Sequence, residues 1–103
     1  MGSQAETDIF YGVIIPMDTW TYMEVEQYEL EAKNTDIHIG CFGDWTYGDL
    51  EYFVCIKQSL QSGYEGVINT ATDADWEGII NDWLITKEIT ELDIGWKWTT
   101  SFR

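Results

Sequence analysis

The sequence predicts an α+β fold in which an antiparallel β-sheet is covered by one or two helices. Two periodicities carry that reading. Residues 92–102 alternate apolar and polar with a period of two, while residues 72–86 repeat apolar side chains at helical spacing. The third observation is composition. Six Trp, six Tyr and four Phe occur in 103 residues whose formal charge is −14. Acidic segments that stay disordered are poor in aromatics, so this chain has a core, and its length suits one acidic domain spanning 1–103.

In chain order, residues 1–7 read as a frayed N-terminus. Asp8–Ile15 is a strand with little polar alternation, which places it centrally in the sheet. The segment Asp18–Asn34 supports two readings. Asp18 offers a helix cap, and Thr21, Val25, Tyr28 and Ala32 share one helical face, but Trp20, Met23 and Leu30 point elsewhere. Read with period two, the same residues suit strands broken by a bulge. Helix is the favoured reading. Ile37, Ile39 and Cys41 alternate with Asp36, His38 and Gly40 in a second strand. Leu50, Tyr52, Val54 and Ile56 form a third. In Thr72–Thr86, Thr72 or Asp73 supplies an N-cap, and Trp76, Ile79, Ile80 and Trp83 make the inner stripe of a helix. Asp75, Glu77, Asn81 and Asp82 fall outside that stripe. Leu92 to Phe102 is the last strand. The resulting β-α-β-β-α-β order is the ferredoxin-like one. If Asp18–Asn34 were extended, a larger sheet with one helix would result.

Chemical motifs are few. His38 is the only histidine, mid-strand and on the opposite face from Cys41, so no nucleophile–base pair can be assembled from them. One His and two Cys, without a known ligand spacing, do not make a zinc site. The run Asp73-Ala74-Asp75-Trp76-Glu77-Gly78 opens like a calcium loop, but Leu84 stands where the closing bidentate Glu belongs. Phosphate loops are absent, and abundant acids without a geometric filter do not specify a glycosidase pair. The expectation is a protein that is not an enzyme and needs no cofactor or metal. Cys41 and Cys55 read as buried thiols, with a disulfide open to them if their strands are neighbours. The sequence holds no run of about 18 apolar residues that would span a membrane. With no basic, apolar leader at its start, the expected setting is cytoplasmic, including the cytoplasm of a virus-infected host.

Nineteen acids against five basic residues repel nucleic acid, whose binding depends on Lys and Arg neutralising phosphates. The same charge suits a basic protein partner, with carboxylates on a rigid scaffold standing in for phosphates and electrostatic steering speeding association. Three acidic groups are candidates for that contact. One is Asp44-Trp45-Thr46-Tyr47-Gly48-Asp49, a turn with aromatics between acids. The second is Glu24, Glu26, Glu29 and Glu31; the third is Asp73, Asp75, Glu77 and Asp82. Phe10, Phe53 and Cys55 fall on the sheet face away from the helices, as a contact patch for a partner or a homodimer, or beneath a loop.

In size, charge and aromatic content the chain resembles the broad class of small acidic inhibitors: phage anti-restriction and anti-CRISPR proteins, and immunity proteins of nucleases. The resemblance is compositional. It implies an inhibitor whose partner is a basic nucleic-acid-binding enzyme or complex. The alternative is a small-ligand-binding or adaptor domain whose charge serves solubility.

Overall fold

The computed structural model of the chain describes residues 5–44, 49–62 and 70–102. The elements run β1 (Ala5–Ile15), α1 (Tyr22–Ala32), β2 (Ile37–Asp44), β3 (Asp49–Ile56), a 3-10 turn (Lys57–Ser59), β4 (Gln61–Ser62), α2 (Trp76–Thr86) and β5 (Gly95–Phe102). The fold is α+β, a largely antiparallel sheet with two helices, as the two periodicities predict.

β1 is central. One of its edges pairs with β5 from Ala5↔Phe102 to Gly12↔Gly95. The other edge pairs with β3 along Gly12–Ile15 and with β4 at Asp8 and Ile9. β2 lies outside β3, in register from Ile37↔Ile56 to Asp44↔Asp49. The long strands are therefore ordered β2-β3-β1-β5. The β-α-β-β-α-β sequence of elements is present with two additions. One is β4; the other is a short parallel bridge, Gly43↔Ser101 and Asp44↔Phe102, that joins the ends of β2 and β5. An open four-stranded sheet has no such link, and it curls this one around the face opposite the helices. β1 also starts inside the stretch expected to fray, because Ala5, Glu6 and Thr7 pair with Phe102, Ser101 and Thr100.

The switch from β3 to β4 along the edge of β1 is bridged by one hydroxyl. Ser59 is buried; its Oγ accepts the Tyr11 N–H at 2.9 Å and donates to the Ile56 carbonyl at 2.7 Å. The hydroxyl thus ties the backbone of β1 to the end of β3 where the ladder changes strands.

α1 begins at Thr21, and not at Asp18, whose φ of 65° places it in a left-handed turn. Thr21 Oγ1 accepts the Glu24 N–H at 3.2 Å, and Glu24 Oε1 accepts the Thr21 N–H at 3.0 Å. This is a reciprocal capping box. At the other end, Lys57 Nζ donates to the Ala32 and Lys33 carbonyls at 3.3 and 2.9 Å, bringing a cation to the negative end of the helix dipole. α2 is capped differently from expectation. Asp75 occupies the N-cap position, and the Asp73 carboxylate accepts its N–H at 3.1 Å, while the Thr72 hydroxyl is donated to the Thr70 carbonyl. α2 ends in a Schellman pattern: Ile89 N–H to Leu84 O and Glu88 N–H to Ile85 O, both 3.0 Å.

Strand alternation separates two apolar layers. Toward the helices, Val13, Ile15, Ile37, Ile39, Val54 and Ile56 pack against Trp20, Val25, Ala32, Ile80 and Leu84. On the opposite face Phe10, Phe53 and Cys55 are buried beside Ile14, Phe42 and Leu60, with the two Phe rings stacked 4.2 Å apart. Two glycines permit this double packing. A Cβ on Gly40 would meet the Phe53 ring at 2.3 Å, and one on Gly12 would sit 2.0 Å from the Val54 carbonyl oxygen.

Candidate partner-binding surface

The acidic residues singled out from the sequence fall into three environments. Trp45 and Tyr47 lie outside the described residues. Of Asp44 and Asp49 only the backbone is described, where they pair with each other across the β2–β3 ladder.

On α1, the row of four glutamates divides. Glu24 is part of the capping box and also accepts the Tyr28 hydroxyl at 3.3 Å. The Thr21 backbone N–H holds the Glu24 carboxyl below the usual carboxylate range, helped by the Thr21 and Tyr28 hydrogen bonds. Glu31 pairs with Lys87 at the end of α2, and that hydrogen bond lowers its pKa. Glu26 and Glu29 remain on the exposed side of the helix, beside exposed Tyr22, Met23 and Leu30. The nearby Glu26 carboxylate pushes the Tyr22 pKa up.

Lys87 has a second set of contacts. Its Nζ lies 4.5 Å from the Tyr28 ring centre and 5.2 Å from that of Trp83, and only 12% of its side chain is exposed. The two rings stand 6.0 Å apart at 89°, and Trp20 packs edge-on against both. One ammonium thus closes an aromatic corner shared by α1 and α2, with a carboxylate as its counter-charge.

The third group runs from just before α2 to past its middle. Asp73, Asp75, Glu77 and Asp82 are all exposed. Three tryptophans that the sequence periodicities assigned to the apolar interior, Trp76 by helical spacing and Trp96 and Trp98 by alternation, behave differently: Trp76 of α2 and Trp96 are partly covered, and Trp98 is 74% exposed. Trp96 and Trp98 share a face of β5 through their pairing with Tyr11 and Ile9. Trp76 packs against Trp96, with ring centres 6.3 Å apart, so α2 shelters one indole and leaves the other in solvent. A cleft of about 500 Å³ opens here, lined by Gln58, Gln61, Thr72, Asp73, Trp76 and Trp96 among others. The Trp96 indole N–H donates to Thr72 Oγ1 at 2.9 Å.

A second groove, about 400 Å³, lies between the end of α1 and the outer edge of β2, and gathers Lys33, Lys57, His38 and Glu29. His38 is half-buried above Phe53. Burial lowers its pKa, Lys57 adds to that, and Glu29 and Asp8 oppose it. Cys41 and Cys55 sit on adjacent strands but on opposite faces, and no disulfide joins them. Burial raises the Cys55 thiol to about 12, with Asp8 contributing.

Among the described residues, no group of three His, Cys, Asp or Glu side chains is placed to hold a metal ion, and no helix is long and apolar enough to cross a membrane. Comparison with protein-family models, curated proteins and solved structures gives no match to this chain.

Proposed function

We propose that this chain is a small acidic inhibitor that acts by binding a basic protein, a nucleic-acid-binding enzyme or complex, and presenting carboxylates in place of phosphates. The anti-defence proteins of phages and the immunity proteins of nucleases are the broad class to which this reading assigns it, with action in the cytoplasm. The observation that carries the reading is how the few cations are used. Lys87 pairs with Glu31, Lys97 pairs with Asp93, and Lys57 donates to the carbonyls that end α1. Three of the four described lysines are thus engaged within the fold. Glu26, Glu29, Asp73, Asp75, Glu77 and Asp82 are exposed and take part in neither ion pair. A surface built this way attracts a basic partner at long range and excludes polyanions.

The apolar centre of the sheet face opposite the helices is filled within the single chain, so a homodimer through Phe10 and Phe53 would require the sheet to uncurl. The exposed aromatics are instead Tyr22 on α1 and Trp98 on β5, residue types that dominate interface energetics.

Affinity capture tests the reading. With the chain immobilised in a bacterial lysate at about 50 mM salt, the retained proteins are expected to be basic nucleic-acid binders that elute by about 500 mM salt. Retention of acidic or neutral proteins that resist salt would argue against it.

A further inference from the structure

The geometry points to the cleft between Trp76 and Trp96 as the seat of a lysine or arginine side chain from the partner. This assignment rests on the inhibitor reading above and deepens it, by naming one contact. The chain contains its own example of the chemistry. At the α1–α2 junction, two rings 6.0 Å apart at 89° receive the Lys87 ammonium, and the Glu31 carboxylate balances the charge. Trp76 and Trp96 repeat that corner, with centres 6.3 Å apart at 67°. Tyr11 backs both indoles, at 5.7 Å from Trp76 and 5.8 Å from Trp96. The acid is present too. Asp73 lines the cleft, and Glu77 is near enough to help raise the Tyr11 pKa, after burial.

What differs is the cation. Around the first corner the chain supplies Lys87; among the described residues lining the second there is no basic side chain. Indole faces attract Lys and Arg electrostatically, most strongly where water is partly excluded. The cleft volume of about 500 Å³ is large enough for such a side chain. Gln58 and Gln61 add polar side chains to its wall, and exposed Trp98 lies two residues from Trp96 on the same strand face, where a partner's backbone would pass. An acidic peptide or a phosphate would meet Asp73, Asp75 and Glu77 and be repelled. An uncharged apolar side chain would leave the Asp73 carboxylate without a counter-charge.

The test uses the full chain and a defined probe, an acetylated, amidated tetralysine peptide, followed through the indole N–H NMR signals at low salt. Trp→Phe variants assign those signals. Saturable shifts of the Trp76 and Trp96 indoles are expected. Full acetylation of the lysine amines should abolish them, and Asp73→Asn should weaken binding by about threefold to tenfold. Asn keeps a side-chain oxygen for the Asp75 N–H, so thermal unfolding of D73N should match wild type and separate lost binding from lost folding. If the peptide binds but shifts only α1 amides around Glu26 and Glu29, the cleft assignment is overturned and the acidic-surface reading stands. If the peptide fails to bind at all at low salt, both fall.

Discussion

Without the Lys87 ammonium, the edge-to-face Tyr28 and Trp83 rings would lose the cation they share, and Glu31 would lose its counter-charge. Lys87→Met keeps most of the side-chain volume and deletes the charge, so it isolates the electrostatic part of the contact. Cation–π contacts at partly desolvated sites contribute about 1–2 kcal/mol, and urea unfolding of K87M should show a loss of that size. Unchanged stability would mean the helices are held together by apolar packing alone. The same pair sets a pH dependence. The Glu31 pKa is lowered in the folded chain, chiefly by the Lys87 hydrogen bond, so its contribution is present above the ordinary carboxylate range and is lost as pH falls through the folded value. Protonating the unpaired acids acts in the opposite sense, because it relieves repulsion. The comparison is therefore between variants: Glu31→Gln should lose less stability than wild type between about pH 5 and pH 3. Parallel curves would contradict the pairing. At this scale the sequence was only partly legible. The Thr21-x-x-Glu24 pattern is a recognisable capping box, yet Asp18 also offered a cap, and local pattern alone does not rank the two. That Glu31, the last of the acidic row, meets Lys87 at the end of α2 could be known only after the helices were packed.

The elements were legible where their period was long enough to express itself. Within Asp18–Asn34, Tyr22–Ala32 is helical because Val25, Tyr28 and Ala32 face the core together, while Met23 and Leu30, which argued against a helix, are exposed. β4 has two residues, too few for any periodicity, and exists because β1 has an edge to fill beyond β3. Trp96 and Trp98 are equivalent by alternation, and only the position of α2 makes one sheltered and the other exposed. Gly12→Ala places its Cβ against the Val54 carbonyl and Cys55 Cα, both backbone atoms, whereas Gly40→Ala meets a side-chain ring. Overpacking typically costs about 1–3 kcal/mol. G40A should lose about that much in chemical denaturation, and G12A more, to the point of breaking the β1–β3 register. Equal, small losses would mean that the strands separate easily at Gly12. At the end of α2, Glu88 holds a φ of 59° in the Schellman turn, a conformation glycine adopts without strain. Glu88→Gly should raise stability by about 1 kcal/mol. A loss would show that the Glu88 side chain makes a stabilising contact larger than the strain.

For the molecule as a whole, the curl of the sheet and the disposition of charge decide what surface is available. Joining β2 to β5 encloses the Phe10–Phe53 stack, so the apolar face that looked open from alternation is part of the core. A sequence-level reading has no access to that closure, since it depends on two residues at each strand end. The excess charge, by contrast, was legible from composition, and the fold adds where it is uncompensated: the outer side of α1 and the start of α2, next to Trp76, Trp96 and Trp98. The central claim is that this surface occupies a site otherwise used by nucleic acid. Its most direct test is a competition titration, in which a labelled nucleic acid is displaced from the captured basic partner by the chain across a series of salt concentrations. The account predicts mutually exclusive binding, with the chain's affinity falling by at least about tenfold from about 50 to 500 mM salt. A ternary complex of partner, nucleic acid and chain, formed with an affinity that salt does not change, would contradict it.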